Sequence, residues 1–368
     1  MSEPRAQHPF HLYDAIHQQP AIVRRMLTHR AEQVVEAARA ATKKERLWIA
    51  GIGSSLYTAQ IAEHFFRHLT SGRASVRAEQ SFEFVRYPHA LGPDDAVIVL
   101  SHTGGTTYSI EALQLARRSG VLTITISGEN ENAAMRSADF LINTCEQEVC
   151  FAYTKSLTAA LARLALFAVH FAEVRGEKIS AAKESLSQVP DLMQQALALE
   201  PQVKALASKI ATRGRTVLFG AGPNWPTARE IALKIKESSF EPAEGAETEQ
   251  LLHGPFSEVD EHMTLVAILS GAPADARARQ ILRAAGDLGA HRVAIHVPSA
   301  APDDSAPDNL TNDWLAIPAV EEWLSPFVFL IPLQLLTYFL ALARGTNPDF
   351  GHQDQPAHAR ARQQHYKY

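Results

Sequence analysis

The chain has 368 residues, enough for two domains of ordinary size, and 46% of them are hydrophobic, which supplies two cores and excludes a largely disordered protein. Thirty-five Lys and Arg against 40 Asp and Glu leave a formal charge of -5, the wrong sign for a nucleic-acid surface or a binder of anionic membranes, so small-molecule chemistry is the reading to pursue. The two cysteines, Cys145 and Cys150, are too few for a disulfide framework, lack the paired spacing of a zinc site and read as small buried hydrophobes of a reducing compartment.

The N-terminus, MSEPRAQHPFHLYDAI, has no apolar core bounded by a cleavage site, so a cytoplasmic protein is expected. Residues 1–34 have the pattern of an amphipathic helical arm. In residues 35–171 apolar strand-like runs occur at RLWIAGIG (46–53), DAVIVLS (95–101), VLTITIS (121–127) and DFLINT (139–144), with helical patterns such as SLYTAQIAEHFFRHL between them. Strands alternating with helices predict a parallel sheet with helices on both faces. Residues 172–212 are polar, helix-prone and short of β-branched runs, which predicts a helical linker. Residues 213–345 repeat the first pattern with RTVLFGAG (215–222), MTLVAILS (263–270), HRVAIHV (291–297) and DWLAIPA (313–319). Gly51 and Gly220, Ser101 and Ser270, and Gly120 and Gly289 are separated by one offset of 169 residues, the signature of an internal repeat of one α/β unit. The apolar stretch from Pro326 to Ala343 is the length of a short membrane span, but Pro332, Gln334 and Thr337 interrupt it, and a buried core or interface helix is expected instead. The tail, residues 346–368, is polar with no core pattern.

The two copies differ after the matching strand: the first has SHTGGTT and the second SGAPADA. Ligands of doubly wound sheets sit at the carboxyl ends of strands, where the next helix offers unpaired N–H groups and a positive dipole end. There Ser101, Thr103, Thr106 and Thr107 add hydroxyls, and Gly104 and Gly105 permit a tight turn. GIGSSLYTA (51–59) ends the first strand in the same way with Ser54 and Ser55. Ordinary helix N-caps are the alternative for each turn taken singly. Neither turn is a GxxxxGK[ST] loop, and GIGSSL lacks the third glycine of a dinucleotide fingerprint, so the expected anion is a sugar phosphate.

In the second copy, helical spacing puts Glu230, Lys234 and Glu237 on one face while Ile231 and Ile235 turn to the core. A solvated charged stripe is the plain alternative. His253, in LLHGP, precedes a Gly-Pro turn; a lone histidine is often structural, but with a carboxylate near a phosphate cradle it forms a set suited to moving protons on a phosphorylated sugar.

SHTGGT, YTKSLT (153–158), ALKIKE, LLHGP and PLQLLTYFLALARGTNPD (332–349) together resemble the sugar isomerase (SIS) domain family over nearly the whole chain. The similarity is to the double-SIS isomerase half of glucosamine-6-phosphate synthase and to its deaminase and fructosamine-6-phosphate deglycase relatives. It implies two tandem doubly wound, flavodoxin-like parallel-sheet domains. It also implies that Ser101, His102, Thr103 and Thr106, with Ser54 and Ser55, hold the phosphate, while Tyr153, Thr154 and Lys155 line the substrate pocket. Glu237 would be the base that moves a proton between C1 and C2, Lys234 would orient or stabilise, and His253 would assist ring opening, reaching the site from the neighbouring subunit of a homodimer. The proton step needs no metal and no cofactor.

Departures from the family pattern narrow the expectation. The sequence carries no glutamine-hydrolysing domain and no N-terminal cysteine nucleophile, and Ala361 stands where the synthase has its Schiff-base lysine. Gly105 replaces a glutamate and Tyr153 a serine, which reshapes the pocket. The expected activity is isomerisation of an amino-sugar or ketose 6-phosphate, most concretely deamination of glucosamine 6-phosphate. The alternatives are a fructosamine-6-phosphate deglycase and a non-catalytic sugar-phosphate sensor, though the 34-residue arm is too short and too weakly basic for the DNA-binding domain of such regulators.

Overall fold

The computed structural model describes residues 5–129, 133–298, 310–353 and 355–365; residues 1–4 of the expected arm and 366–368 of the expected tail lie outside them. The chain divides into two compact units, one of residues 18–149, 153–190 and 352–368, the other of residues 1–17, 150–152 and 191–351. The elements run α1 (His11–Thr28), α2 (Ala31–Ala41), β1 (Arg46–Gly51), α3 (Ser54–Leu69), β2 (Ser75–Gln80), α4 (Ser81–Arg86), β3 (Asp95–Ser101), α5 (Thr107–Arg118), β4 (Leu122–Ser127), β5 (Phe140–Asn143) and α6 (Lys155–Val174). They continue with α7 (Ser180–Leu197), α8 (Glu200–Ile210), β6 (Arg215–Gly220), α9 (Asn224–Ser238), β7 (Ala243–Glu247), α10 (Thr248–Leu252), β8 (Met263–Leu269), α11 (Asp275–Asp287), β9 (His291–His296), β10 (Asp313–Ala316), α12 (Ser325–Ala343) and α13 (Pro356–His365).

Each unit holds one five-stranded sheet, ordered β2-β1-β3-β4-β5 in the first and β7-β6-β8-β9-β10 in the second. Every strand pair is parallel. This shared order is flavodoxin-like, and its switch point lies between the first and third strands in chain order, so the turns after β1 and β3, and after β6 and β8, are where a ligand crevice opens. All seven residues of β3 and of β8 are buried, which is why the central strands read as unbroken apolar runs.

Among the described residues, eight of the ten strands coincide with the apolar runs of the sequence; β2 (SVRAEQ) and β7 (AEGAE) do not. Both are sheet edges and partly exposed, so nothing selects an apolar run, and their charged residues blunt an edge that would otherwise pair with another chain. The glycines shared by the two copies mark a real steric limit: a Cβ on Gly51 would lie 2.6 Å from the Ser55 backbone, and one on Gly220 2.9 Å from the Asn224 carbonyl oxygen. Only glycine lets the following helix start so close to the strand end.

α6 and α12 are long and apolar enough to cross a membrane, yet 72% and 89% of their apolar windows are buried inside the protein. α6 packs on α2 and α3, and α12 on α8 and α9. Phe327, Phe329, Leu330 and Leu333 of α12 are fully buried, each contributing on the order of 2 kcal/mol of apolar burial. α1 is held at both ends by residues far along the chain. Asp349 accepts from the N–H groups of His11 and Leu12 at the start of α1, 2.9 Å each. Buried Arg163 donates to the carbonyl oxygens of Met26 and His29 at its end, 2.7 and 2.8 Å. The start of the tail is therefore a cap rather than an idle extension, and its exposed remainder forms α13, which carries Ala361.

Candidate active site

In the first unit the turns after β1 and β3 open onto one cavity lined by Ser54, Ser55, Thr58, Ser101, His102, Thr144, Tyr153 and Ser156. The ordinary N-cap reading of these turns fails: α3 begins after Gly53, and Thr106, at the N-cap of α5, makes no capping hydrogen bond. Two helices of 16 and 12 residues thus start here without a side-chain cap, their positive dipole ends unanswered by any carboxylate of the turn. The Thr106 hydroxyl instead accepts from Ser101 Oγ at 3.4 Å, and Thr103 Oγ1 accepts from the Gly105 N–H at 3.2 Å. The turn is tightened by Gly104, whose φ of 64° lies in the left-handed region and whose N–H reaches the Ser101 carbonyl at 3.1 Å. Ser127 Oγ braces the same carbonyl at 2.7 Å. Thr103 and Thr106 belong to the turn but do not line the cavity itself.

The Tyr153 ring meets the His102 ring edge-on at 5.6 Å between centroids. Thr154 and Lys155, expected in the pocket, do not line it. Thr154 donates its N–H (2.9 Å) and hydroxyl (3.3 Å) to Glu148, and Lys155 Nζ is held by Glu146 (2.6 Å) and Gln18 (3.1 Å). Glu148, absent from the candidates drawn from sequence, also accepts from the N–H groups of Lys155 and Ser156 and from Ser156 Oγ, so one buried carboxylate caps the start of α6. Its sequence signal is faint: an acid shortly before a helix that begins with no cap of its own. Burial lowers the His102 pKa below the ordinary imidazole value; Glu148 and Glu146 oppose that effect and Lys155 adds to it.

The second unit carries the charged stripe on α9. Lys234 Nζ lies 2.7 Å from Glu237 Oε2 and 3.5 Å from Glu230 Oε1. The side chains of Glu230, Lys234 and Glu237 are 0%, 2% and 21% exposed, so the solvated-stripe alternative is excluded. A buried lysine between two carboxylates is costly to assemble and costlier to break; the most open member of the group is Glu237. His253 is not brought to this group: its side chain is 67% exposed and its Nε2 lies 3.2 Å from Glu249 Oε1. Arg277, at 2.7 Å, and His253 together lower the Glu249 carboxyl to about 2. The turn after β8 is closed by its own chain, with the Ser270 and Gly271 N–H groups donating to Asp275 at 3.2 and 2.8 Å and Ser270 Oγ donating to Glu322 at 3.3 Å. Among the described residues no group of three or more His, Cys, Asp or Glu is placed to hold a metal ion.

The SIS domain pattern matches residues 41–170 and 209–344. Glutamine--fructose-6-phosphate aminotransferase [isomerizing] from Bradyrhizobium diazoefficiens is 31% identical over 352 residues, 91% of this chain and 56% of that protein. The chain spans little more than half the length of such relatives. Among solved structures, the C-terminal domain of glucosamine-fructose-6-phosphate aminotransferase from Francisella tularensis has a TM-score of 0.84 at 23% identity, covering 93% of this chain and 98% of that one. Glucosamine-6-phosphate deaminase from Thermotoga maritima has a TM-score of 0.71 at 20% identity, covering 92% and 96%. Two repeats of one flavodoxin-like unit, both matched by one domain pattern, identify the chain as a member of the SIS domain family.

Proposed function

We propose that this chain is a phosphosugar isomerase-type enzyme acting on an amino-sugar or ketose 6-phosphate by proton transfer between C1 and C2, most concretely a glucosamine-6-phosphate deaminase. The observation that carries the reading is the pair of helix starts without side-chain caps, α3 and α5, beside a cavity lined by Ser54, Ser55, Ser101 and His102, where the equivalent turn after β8 is filled by Asp275 of its own chain. A dianionic phosphate answers both dipoles at once. The names of the relatives, which include an isomerizing aminotransferase and a deaminase of amino-sugar phosphates, support the same substrate class.

On this reading the phosphate is anchored by Ser101, Thr103 and Thr106 with Ser54 and Ser55. Glu237 takes the C2 proton of the open-chain amino aldose and delivers a proton to C1; the resulting C2 imine adds water and releases ammonia, leaving the ketose phosphate. Lys234 donates to Glu237 Oε2 at 2.7 Å and so orients the carboxylate that acts as the base. His253, exposed and beside Glu249, assists ring opening in a homodimer from the neighbouring subunit. Sedimentation of active protein at micromolar concentration tests the last point, and an active monomer would refute it.

Ala361, in place of a Schiff-base lysine on exposed α13, favours deamination or deglycation over amide-nitrogen synthesis. Ammonia release from glucosamine 6-phosphate supports the deaminase, amine release from a fructosamine 6-phosphate the deglycase, and binding without turnover or C2-proton exchange a sensor.

A further inference from the structure

His102 is the second residue of the SHTGGT turn, and its imidazole is seated as part of the cavity rather than as a core side chain. Both ring nitrogens, Nδ1 and Nε2, are buried and neither has a hydrogen-bond partner among the described residues. A neutral imidazole always carries one N–H donor and one lone pair, so leaving both unmatched costs the desolvation of two polar groups. Such orphaned groups belong to a place that something else completes. The ring lines the same cavity as Ser54, Ser55, Ser101 and Ser156. Its seat is shaped for it: Gly128 donates its N–H to the His102 carbonyl at 2.9 Å, and a Cβ on Gly128 would stand 3.0 and 3.1 Å from the ring atoms Cε1 and Nδ1. Tyr153 closes the other side with its ring edge.

We infer that His102 is a proton-dependent ligand of the bound anion: neutral in the empty cavity, it becomes imidazolium when the phosphate arrives, so that capture of the substrate draws a proton from solvent. The inference rests on reading this cavity as the phosphate site. The charged groups that act on the ring are Glu148 and Glu146, from the segment between β5 and α6, and Lys155 at the start of α6. Glu148 is spent on capping α6 and Glu146 is engaged by Lys155 and Arg25, so no carboxylate of the described residues is hydrogen-bonded to the imidazole. Burial therefore keeps the ring neutral until an anion supplies the missing countercharge, at which point the imidazolium donates to it.

Inorganic sulfate separates this proton from the substrate's own, because sulfate does not titrate near neutrality whereas a phosphate ester does. Sulfate titrated calorimetrically into the wild-type protein, in buffers of different ionisation enthalpy at pH 7.5, is expected to take up protons. Its affinity should rise as pH falls from about 8 to 6, by up to about tenfold per pH unit. His102→Gln, which keeps a neutral amide donor, should still bind sulfate but with a flat pH profile and no proton uptake. A wild-type profile that is flat, or that is unchanged in His102→Gln, overturns the inference while leaving the phosphate site standing. Absence of sulfate and sugar-phosphate binding at every pH overturns both.

Discussion

The turn after β3 and the turn after β8 leave equivalent central strands of two copies of one sheet, and they solve the same electrostatic problem in opposite ways. Backbone N–H groups at the carboxyl end of a parallel sheet, next to a helix start, need an anionic partner. In the second copy Asp275 provides it from the chain itself, five positions beyond Ser270, and Ser270 Oγ is taken by Glu322. In the first copy no carboxylate of the described residues enters the turn; hydroxyls and an imidazole stand around a cavity instead. On the proposed function, that separates a turn filled by its own chain from one that receives an anion. The copies diverge in the reverse sense on the helix after their first strand: α9 carries the buried Glu230, Lys234 and Glu237, while α3 opens with Ser54 and Ser55. On the proposed function, anchoring and proton transfer have been divided between two copies that began alike.

The division can be tested from either side. The largest effect is expected for Glu237→Gln, which should lower turnover and solvent exchange of the C2 proton by about a hundred- to ten-thousand-fold while sugar-phosphate binding persists. Exchange at the wild-type rate would mean that the stripe on α9 is structural and that the base lies elsewhere. The converse variant, Ser101→Ala with Thr106→Ala, should weaken sugar-phosphate binding by roughly 1.5 kcal/mol per lost charge-assisted bond, the low end of the range because the two hydroxyls also bond each other. Unchanged affinity in a folded double variant would remove the distinction between the two turns.

The smallest effect concerns the filled turn. Burial pushes the Asp275 carboxyl up to about 6, against the stabilising pull of the Gly271 and Ser270 N–H groups. Because the folded-state pKa exceeds the unfolded one, the folded state binds the proton more tightly. The stabilising contribution is then full at pH values below the ordinary carboxylate range and is lost as pH rises through about 6. Wild-type protein should therefore gain about 1 kcal/mol from this residue between pH 7 and pH 5, a gain that Asp275→Asn lacks. Urea unfolding of both proteins at the two pH values measures it, and equal pH dependence would show that Asp275 is not the buried anion of this turn.

Much of this comparison is legible in the sequence, because its elements are local. Apolar runs such as DAVIVLS mark strands that are buried on both faces, the glycines at one offset mark tight turns at the same places in both copies, and the spacing of Glu230, Lys234 and Glu237 follows from helical periodicity alone. The edge strands β2 and β7 escape the same reading because an edge carries no obligation to be apolar.

What the amino-acid order could not decide is where polar groups find their partners, since that depends on which distant segments meet. Glu230 and Lys234 have the spacing of a surface stripe and become a buried ion pair because α9 is packed against α12, β6 and β7. Lys155 looks like a pocket residue until Glu146 and Gln18 engage it, and Glu148 looks like one acid among many until α6 begins against it. SGAPADA shows the loss of the hydroxyl turn, but only the folded turn brings the Asp275 carboxylate to the Ser270 and Gly271 amides. Periodicity and turn chemistry act over a few residues and can be read along the chain. The burial and pairing of a charge depend on contacts across the fold, and those fixed which of two similar turns was left open.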